Sequence, residues 1–220
     1  MKKTIKAYRF ELFLFTLIFN LFGTLIFTDA FFYSYLFPIS ILLNILFGIN
    51  LISNKKTKKV IIVLFIITAF MSGFTVLNTD NLSVDLLRFG FYFLFYVCIT
   101  YEITKQIWQI KKVSKNLILG VISGYITLGL VGFFIFMTVE MAHPGSFDSV
   151  MFHKSITIDE KSNHILYYSF ITLMTIGYGE IVPVTTIAQK AAILIGLLGQ
   201  FYMVIITAFV VGKYINYSRK

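Results

Sequence analysis

The chain has 220 residues, of which 58% are hydrophobic and 13% charged, and its mean hydropathy is +0.84. A soluble domain carries about 25% charged residues, so a soluble fold of this length could not bury so much apolar surface. The composition therefore predicts a membrane protein. The formal net charge is +9, and the single Cys98 excludes an intrachain disulfide and a cysteine-based metal cluster.

Six apolar segments are long enough to cross a bilayer, which requires roughly 17–25 residues for each helix. They cover residues 10–27, 36–53, 60–77, 84–104, 117–140 and 187–215. The first segment superficially resembles a secretory signal. Its apolar run is longer than the roughly 7–15 residues of a signal peptide, and no small-residue cleavage site follows it. We therefore predict that all six segments are membrane helices.

Basic residues mark one end of these predicted helices. Four clusters share one side if the segments alternate in direction: at the N-terminus, after the second and fourth segments, and at the C-terminus. They comprise Lys2, Lys3, Lys6, Arg9, Lys55, Lys56, Lys58, Lys59, Lys105, Lys111, Lys112, Lys115, Lys213, Arg219 and Lys220. Because positive residues mark the cytoplasmic face, we predict a multi-pass plasma-membrane protein with both termini inside. Clusters that flank membrane segments argue against nucleic acid as a partner.

Small and polar residues within the segments predict how the helices pack. Asn20, Asn44 and Asn50 in the first two segments are expected to form hydrogen bonds between helices. Small residues let helix backbones approach closely, and the fifth segment has several of them. Its narrow face, which we expect to pack against the sixth segment, contains Gly120, Gly124, Gly129 and Gly132.

Two connecting stretches carry distinctive side chains. The link from about residue 105 to 116 alternates apolar and basic residues, which predicts a short surface helix with Trp108 and Ile110 towards the lipid. The outer loop 141–163 is polar, and three histidines lie in it or directly after it. They are His143, His153 and His164. Their spacing matches no local metal-ligand pattern, so we interpret them as ordinary loop histidines and leave proton or metal sensing open.

A shorter apolar stretch precedes the last segment. Asn163 can cap a helix over residues 164–174, half a membrane deep, whose C-terminal dipole end would favour a cation. The next residues, 175–180, read Thr-Ile-Gly-Tyr-Gly-Glu, and the two glycines allow backbone conformations closed to other residues. Non-helical backbone at membrane depth is tolerated only where protein buries it or where it lines a water-filled path. We therefore predict a re-entrant loop.

At this loop the sequence resembles the potassium-channel family, whose selectivity filter reads Thr-Val-Gly-Tyr-Gly. The resemblance covers about residues 117–215. It implies that the carbonyls of residues 175–178 and the Thr175 hydroxyl replace the hydration shell of potassium, the permeant ligand, with no cofactor. The filter residues are then Thr175, Ile176, Gly177, Tyr178 and Gly179. One loop supplies only one wall, so the resemblance implies a homotetramer surrounded by membrane lipid.

Other positions extend this resemblance. Tyr167 and Tyr168 stand where the family has an aromatic pair that braces the filter, and Glu180 stands at its outer end. Gly199 matches a glycine regarded as a gating hinge. The resemblance places the inner pore lining at Met203, Thr207 and Val211.

The sequence also departs from the family pattern at four positions. Ile176 replaces the usual Val, and Glu180 stands where Asp is commoner. Met174 stands where the family usually has Thr, and Ile171 where some members have a Glu behind the filter. These changes bear on inactivation, blocker sensitivity and conduction rate, and potassium selectivity stays the favoured interpretation.

The fourth segment lacks the charges of a voltage sensor. Channels with this helix count often sense voltage there, and steep voltage dependence needs about 3–4 gating charges per subunit. This segment contains Arg88 alone, near its outer end. We expect Arg88 to pair with Asp85 or Asp80, and Ser83 to cap the helix. Conventional voltage gating is therefore not predicted.

Together these patterns predict an all-α membrane protein with six transmembrane helices, a re-entrant pore helix and a filter loop in a tetrameric pore. Residues 1–112 would form a peripheral four-helix domain. Residues 113–220 would form the pore domain, with an outer helix, pore helix 164–174, filter 175–179 and inner helix 187–215. Only eight residues follow Gly212, so no cytoplasmic ligand-binding domain is expected on this chain.

The predicted function is a potassium-selective ion channel that conducts passively and is not conventionally voltage-gated. The alternatives are a weakly selective cation channel, a potassium-transporter subunit built on pore loops, and a non-conducting membrane sensor or assembly subunit. An enzyme is disfavoured because the sequence contains no nucleophile–base arrangement, phosphate loop or metal-ligand spacing. The gating stimulus and the role of the first four helices stay open, and the small size favours a prokaryotic source.

Overall fold

The computed structural model describes residues 8–28, 31–52, 54–77, 82–109, 114–149, 152 and 158–218, and these residues are mostly helical. The helices are α1 (Arg9–Phe22), α2 (Phe37–Ile49), α3 (Lys55–Leu77), α4 (Leu82–Gln109), α5 (Lys115–Ala142), α6 (Ile158–Leu173) and α7 (Thr186–Ser218). Two short strands, β1 (Phe147–Asp148) and β2 (Val182–Pro183), pair in antiparallel fashion.

The first two apolar segments form shorter helices than the sequence predicted. At 14 and 13 residues, α1 and α2 are each about 20 Å long, less than the roughly 30 Å hydrocarbon core. After α1 the chain continues as a 3-10 turn over Gly23–Leu25, and a π-helical stretch, Phe32–Leu36, precedes α2. The Phe32 ring fills the space beside Gly23 that a side chain there would need. Aromatic packing therefore turns the chain at this point.

Two helices among the described residues are long and apolar enough to cross a membrane, judged by length and composition. They are Lys115–Ala142 and Thr186–Ile215. These correspond to the fifth and sixth predicted spans. For the first four segments, membrane crossing stays a prediction.

The chain divides into two compact units, Met1–Thr127 and Leu128–Lys220, and the division falls inside α5. The sequence placed the division between residues 112 and 113, just before α5. The first unit contains α1 to α4 and the start of α5. The second unit contains the rest of α5, the two paired strands, α6 and α7.

A buried polar network holds α1, α2 and α4 together within the first unit. The Asn44 amide donates to the Thr16 hydroxyl at 2.8 Å and to the Phe13 carbonyl at 3.3 Å. The Tyr96 hydroxyl donates to the side-chain amide oxygen Oδ1 of Asn44 at 2.9 Å. Asn44 is fully buried and Tyr96 is 1% exposed, so each bond satisfies a group that water cannot reach. The predicted interhelical role of Asn44 therefore matches its contacts.

The other two asparagines differ from each other. Asn20 accepts a hydrogen bond from the Ser40 hydroxyl, which joins α1 to α2 as expected. Asn50 instead donates to the Leu46 carbonyl one turn earlier in its own chain segment, so its predicted interhelical role is wrong. It lies at the C-terminal cap of α2, where free carbonyls are available to it.

The end of α4 also differs from the prediction. Residues 105–109 continue α4 rather than forming a separate surface helix, and Ile110 lies outside the described residues. Trp108 is 48% exposed, in keeping with a position that faces lipid. Nearby, the Arg9 guanidinium donates to the side-chain amide oxygen Oε1 of Gln106 at 3.1 Å, which connects the start of α1 to α4.

Some sequence predictions fall on residues whose side chains the structure does not describe. They concern Ser83, Asp85 and Arg88 in α4, Asp80 before it, and His153 in the outer loop. The basic clusters at the two termini and after α4 also include such residues. Gly120, by contrast, is described: a side chain there would meet Phe10 of α1 at 3.4 Å. Its neighbour is therefore α1 rather than the last helix.

Replacing Asn44 by Ala should destabilise the first unit. The change leaves the buried Tyr96 hydroxyl without its acceptor, which costs about 1–3 kcal/mol. Asn50→Ala is the matched control and should change stability by no more than about 0.5 kcal/mol, because that side chain bonds only within its own helix end. Thermal unfolding of both purified variants in the same detergent measures the difference. Equal midpoints would contradict a central role for Asn44.

Candidate functional site

The helix α6 leads into the Thr-Ile-Gly-Tyr-Gly loop, and it is longer than the sequence predicted. It begins at Ile158, so Asn163 lies inside the helix and its predicted capping role is wrong. Glu160 lies in its first turn, where a carboxylate interacts favourably with the helix dipole. This acid favours a helix start before Asn163.

Two nested backbone hydrogen bonds terminate α6. The Thr175 N–H donates to the Thr172 carbonyl at 3.0 Å, and the Ile176 N–H donates to the Ile171 carbonyl at 2.9 Å. This pair of bonds is the Schellman motif, which needs a left-handed residue after the helix and usually takes Gly there. Here Thr175 occupies that position with φ of +58°. A β-branched residue in this conformation is strained by about 1–2 kcal/mol.

Along the loop, the backbone φ angle alternates between positive and negative values. Thr175, Gly177 and Gly179 have positive φ values, whereas the intervening Ile176 and Tyr178 do not. Within the described part of the chain, the backbone groups of residues 177–179 form no hydrogen bonds. The loop thus presents free peptide groups in a conformation that only its glycines adopt without strain.

Side chains of the loop point away from the packed interior of this single chain. Ile176 is 46% exposed and Tyr178 is 72% exposed. Met174, directly before the loop, is also exposed, whereas Ile171 and Leu173 on α6 are buried. Large apolar side chains exposed beside free backbone groups indicate a surface that other protein covers.

The pairing of β1 with β2 holds the chain after the loop. Phe147 pairs with Pro183, and Asp148 pairs with Val182. The Val184 N–H donates to the Ser146 carbonyl at 2.8 Å, which extends the pairing. The Thr185 hydroxyl then contacts Ser146 and accepts from the Ala188 N–H, so it caps α7.

A buried carboxylate ties three parts of this unit together. Glu140, at the end of α5, is 3% exposed and accepts hydrogen bonds from the backbone N–H groups of Gly145 and Phe147 at 2.9 and 3.1 Å. Its Oε1 also accepts from the Lys161 ammonium on α6. Lys161 in turn lies over the Phe152 ring at 5.3 Å. Glu140 therefore connects α5, the turn before β1 and α6.

Sequence reasoning did not identify this role. It assigned no function to Glu140 or to Lys161. The residues meet because the chain folds back between them, and no local spacing in the sequence indicates that pairing. A long-range ion pair of this kind becomes visible only in the folded structure.

The two tyrosines predicted to brace the filter have different environments. Tyr168 is 5% exposed and packs its ring against Phe136 of α5 and Phe147 of β1, at 5.1 and 5.3 Å between centroids. Tyr167 faces Glu180 at the far end of the loop. It lies on α6, outside the two candidate membrane spans, and hydrogen bonding to the Glu180 carboxylate, with burial and charge, raises the pKa of Tyr167 to about 12. Of these two tyrosines, Tyr167 is therefore the one that lies beside Glu180 at the end of the loop.

The glycines of α5 and α7 allow close packing around α6. A side chain at Gly129 would overlap the Phe170 ring, and one at Gly132 would overlap the Ser169 hydroxyl. Ser169 donates to the Gly129 carbonyl at 2.7 Å. The expectation that this face packs against the last segment is therefore wrong for Gly129, which packs against α6, whereas Gly132 also meets Ile195 of α7.

Gly199 of α7 lies directly against the end of α6. A Cβ atom at this position would overlap the carbonyl oxygen of Leu173. The contact places α7 beside the start of the loop. The other predicted lining residues, Met203, Thr207 and Val211, lie further along α7 and are exposed in this single chain. Their predicted role and the hinge at Gly199 stay predictions.

The described histidines form no metal site. Within the described ranges, no group of three His, Cys, Asp or Glu residues could hold a metal ion. The His164 ring packs against Phe152 at 5.8 Å between centroids, and the His143 carbonyl accepts from the Ser146 hydroxyl at 2.7 Å.

One comparison with known proteins covers this part of the chain. Residues 121–216 match a family model described as "Ion channel", and the match includes most of α5, all of α6, the loop and nearly all of α7. The match supports an ion channel. It points to transport rather than to an enzymatic reaction, and with the apolar helices it indicates a membrane protein. No curated protein and no solved structure matches the chain.

Two glycines one turn apart in α7 provide a matched test of the packing around α6. Gly199→Ala should destabilise the protein by about 1–3 kcal/mol, because the new methyl group meets a backbone carbonyl that cannot move aside. At Gly196 the nearest atom to a new Cβ is 3.9 Å away, so Gly196→Ala should be neutral or stabilising through its better helix propensity. Thermal unfolding in detergent compares them. A harmless Gly199→Ala would contradict the close contact.

Removal of the Glu140 charge should lower the stability of the second unit. Glu140→Gln leaves Lys161 without its carboxylate and weakens two backbone hydrogen bonds, a loss of about 1.5–3 kcal/mol. The exposed Glu160, next to Lys161, is the control, and Glu160→Gln should cost less than about 1 kcal/mol. Unfolding midpoints of the two variants give the comparison, and equal losses would show that Glu140 has no special role.

Proposed function

We propose that this protein is a potassium-selective ion channel that conducts passively through a homotetrameric pore. The filter would consist of residues 175–179, with Glu180 and Tyr167 at its outer end. The observation that carries the proposal is the loop itself. It has alternating positive φ values and unpaired backbone groups at the C-terminal end of a helix.

The backbone alternation explains how such a loop could bind a dehydrated cation. A backbone that alternates between positive and negative φ turns successive N–H groups to one side and leaves the carbonyls on the other side. The carbonyls of residues 175–178 could then converge on one ion and replace its water, as in carbonyl-lined filters. The C-terminal end of α6 adds a negative dipole end beside the loop, which also favours a cation.

A ring of carbonyls requires several copies of this chain. One loop forms one wall, and cyclic symmetry around a shared axis closes the ring. The exposed Ile176 and Tyr178 and the exposed face of α7 are the apolar surfaces that neighbouring copies would cover. Four copies are proposed from the resemblance to potassium channels, and the family match supports an ion channel in this part of the chain.

Bi-ionic recordings test the proposal directly. The purified protein in planar bilayers, with potassium on one side and sodium on the other, should give a reversal potential displaced strongly towards the potassium equilibrium potential. A reversal potential near zero would indicate a weakly selective cation channel. Absence of currents from an intact tetramer would indicate a non-conducting subunit.

A comparison of two glycine variants distinguishes a role in the filter from the general effect of backbone strain. Gly177 and Gly145 have φ values of +56° and +85°, and neither has another atom within 4 Å of a new Cβ. Replacement by Ala strains either backbone by about 1–2 kcal/mol. Gly177→Ala should lower potassium flux into vesicles about tenfold or more, because it disturbs the proposed carbonyl ring. Gly145→Ala, in the outer turn, should leave flux within about twofold of the unmodified protein. Equal flux in both variants would contradict the proposed filter.

A further inference from the structure

The start of α3 carries an unusual concentration of positive charge. Residues 55–59 read Lys-Lys-Thr-Lys-Lys, and the first turn of the helix contains no acidic residue. Lys55, Lys56 and Lys59 are exposed. Among the described residues, none of the four lysines forms an ion pair with a carboxylate. The charges are therefore available to an external partner.

This arrangement is electrostatically unfavourable within the protein alone. Lys55 and Lys59 lie one turn apart, at i and i+4, where like charges repel each other. The positive end of the helix dipole adds a second repulsion against every lysine in the first turn. The Asn54 side chain accepts from the Lys56 N–H at 2.9 Å, which satisfies one backbone donor and neutralises no charge. A negatively charged partner would relieve both repulsions.

The rest of α3 indicates what surrounds these lysines. An apolar stripe follows them on the exposed side of the helix, with Val60 at 58%, Val63 at 55%, Ile66 at 60% and Phe70 at 77% exposure. Ile61, in contrast, is fully buried in the first unit. In the membrane span predicted for the third segment, this apolar stripe would face acyl chains. The lysines at its end then lie at the level of the lipid headgroups.

The second half of α4 also has exposed basic and aromatic residues on one side of the helix. Tyr101, Lys105 and Trp108 recur at i, i+4 and i+7, and all three are exposed. Trp and Tyr concentrate at the membrane–water interface. Only residues 78–81 separate α3 from α4, and Ile61 and Phe65 of α3 line the same small cavity as Phe95 at the middle of α4, so the two helices pack as antiparallel neighbours. Both helices therefore present basic residues at one end of the first unit.

We propose that Lys55, Lys56, Lys58, Lys59 and Lys105 form a binding surface for the phosphate headgroups of anionic phospholipids, here called the lysine surface. The lysines supply the charge, and the exposed stripe of α3 supplies the contact with the acyl chains. A soluble anion could use the charge alone and would gain nothing from the stripe. The proposal does not depend on conduction by the second unit.

Lipid titration of the full-length protein in detergent tests this proposal. Phosphatidylglycerol should raise the unfolding temperature, whereas phosphatidylcholine with the same acyl chains should have a much smaller effect. Detergent micelles remove membrane orientation as a variable. The shift should shrink at about 1 M salt, where the screening length is roughly 3 Å. An equal response to the two lipids would overturn the proposal.

Variants of α3 locate the surface. The fourfold variant Lys55→Gln, Lys56→Gln, Lys58→Gln and Lys59→Gln should lose most of the phosphatidylglycerol shift. The corresponding fourfold Arg variant should retain it, because the charge is preserved. Lys190→Gln, an exposed lysine in the second unit, is a control that should not change it.

Two further outcomes would contradict the proposal. An unchanged shift in the Gln variant would place the lipid elsewhere. Inorganic phosphate that reproduces the full shift in the unmodified protein would show that the acyl chains contribute nothing. If the Gln variant does not fold, loss of the lipid shift at high salt in the unmodified protein still tests the charge dependence.

Discussion

The backbone of the Thr-Ile-Gly-Tyr-Gly loop imposes the constraint on which the second unit depends. Free peptide groups are costly unless a partner satisfies them, and the backbone groups of residues 177–179 have none among the described residues. The helix before them ends in a Schellman motif with Thr175 in a strained left-handed conformation. Such strain persists only where the surrounding structure enforces it, and it concentrates at functional sites.

The surrounding contacts hold the loop from both ends. At the start of the loop, Gly199 lets α7 approach the last carbonyls of α6. After the loop, the β1–β2 pairing and the Ser146 contacts fix the chain that returns to α7. Glu140 joins α5 to both sides through Phe147 and Lys161. Packed side chains lie behind the loop and exposed side chains lie in front of it, on the face that we propose for ion binding and assembly.

Much of this arrangement follows from residue order. The apolar runs predicted the helices, because in a membrane every backbone group must be satisfied within its own segment. The glycines of the loop predicted an unusual backbone, and Gly177 and Gly179 do have positive φ. The helix ends were less predictable from the sequence. The helix α6 starts at Ile158 and α4 continues to Gln109. Capping residues alone do not set a helix end, because nearby charges and tertiary contacts also determine where the helix stops.

The sequence by itself determined the apolar helices, the asymmetry of basic charge, and the loop with two glycines around a tyrosine. These features are local, and composition and spacing carry them. Only the tertiary structure decided that Glu140 meets Lys161, that Gly129 packs against α6 and that Thr175 takes the left-handed position. Such contacts join residues far apart in the chain or depend on the packing around them. Their energies come from burial and geometry, which no short stretch of sequence contains.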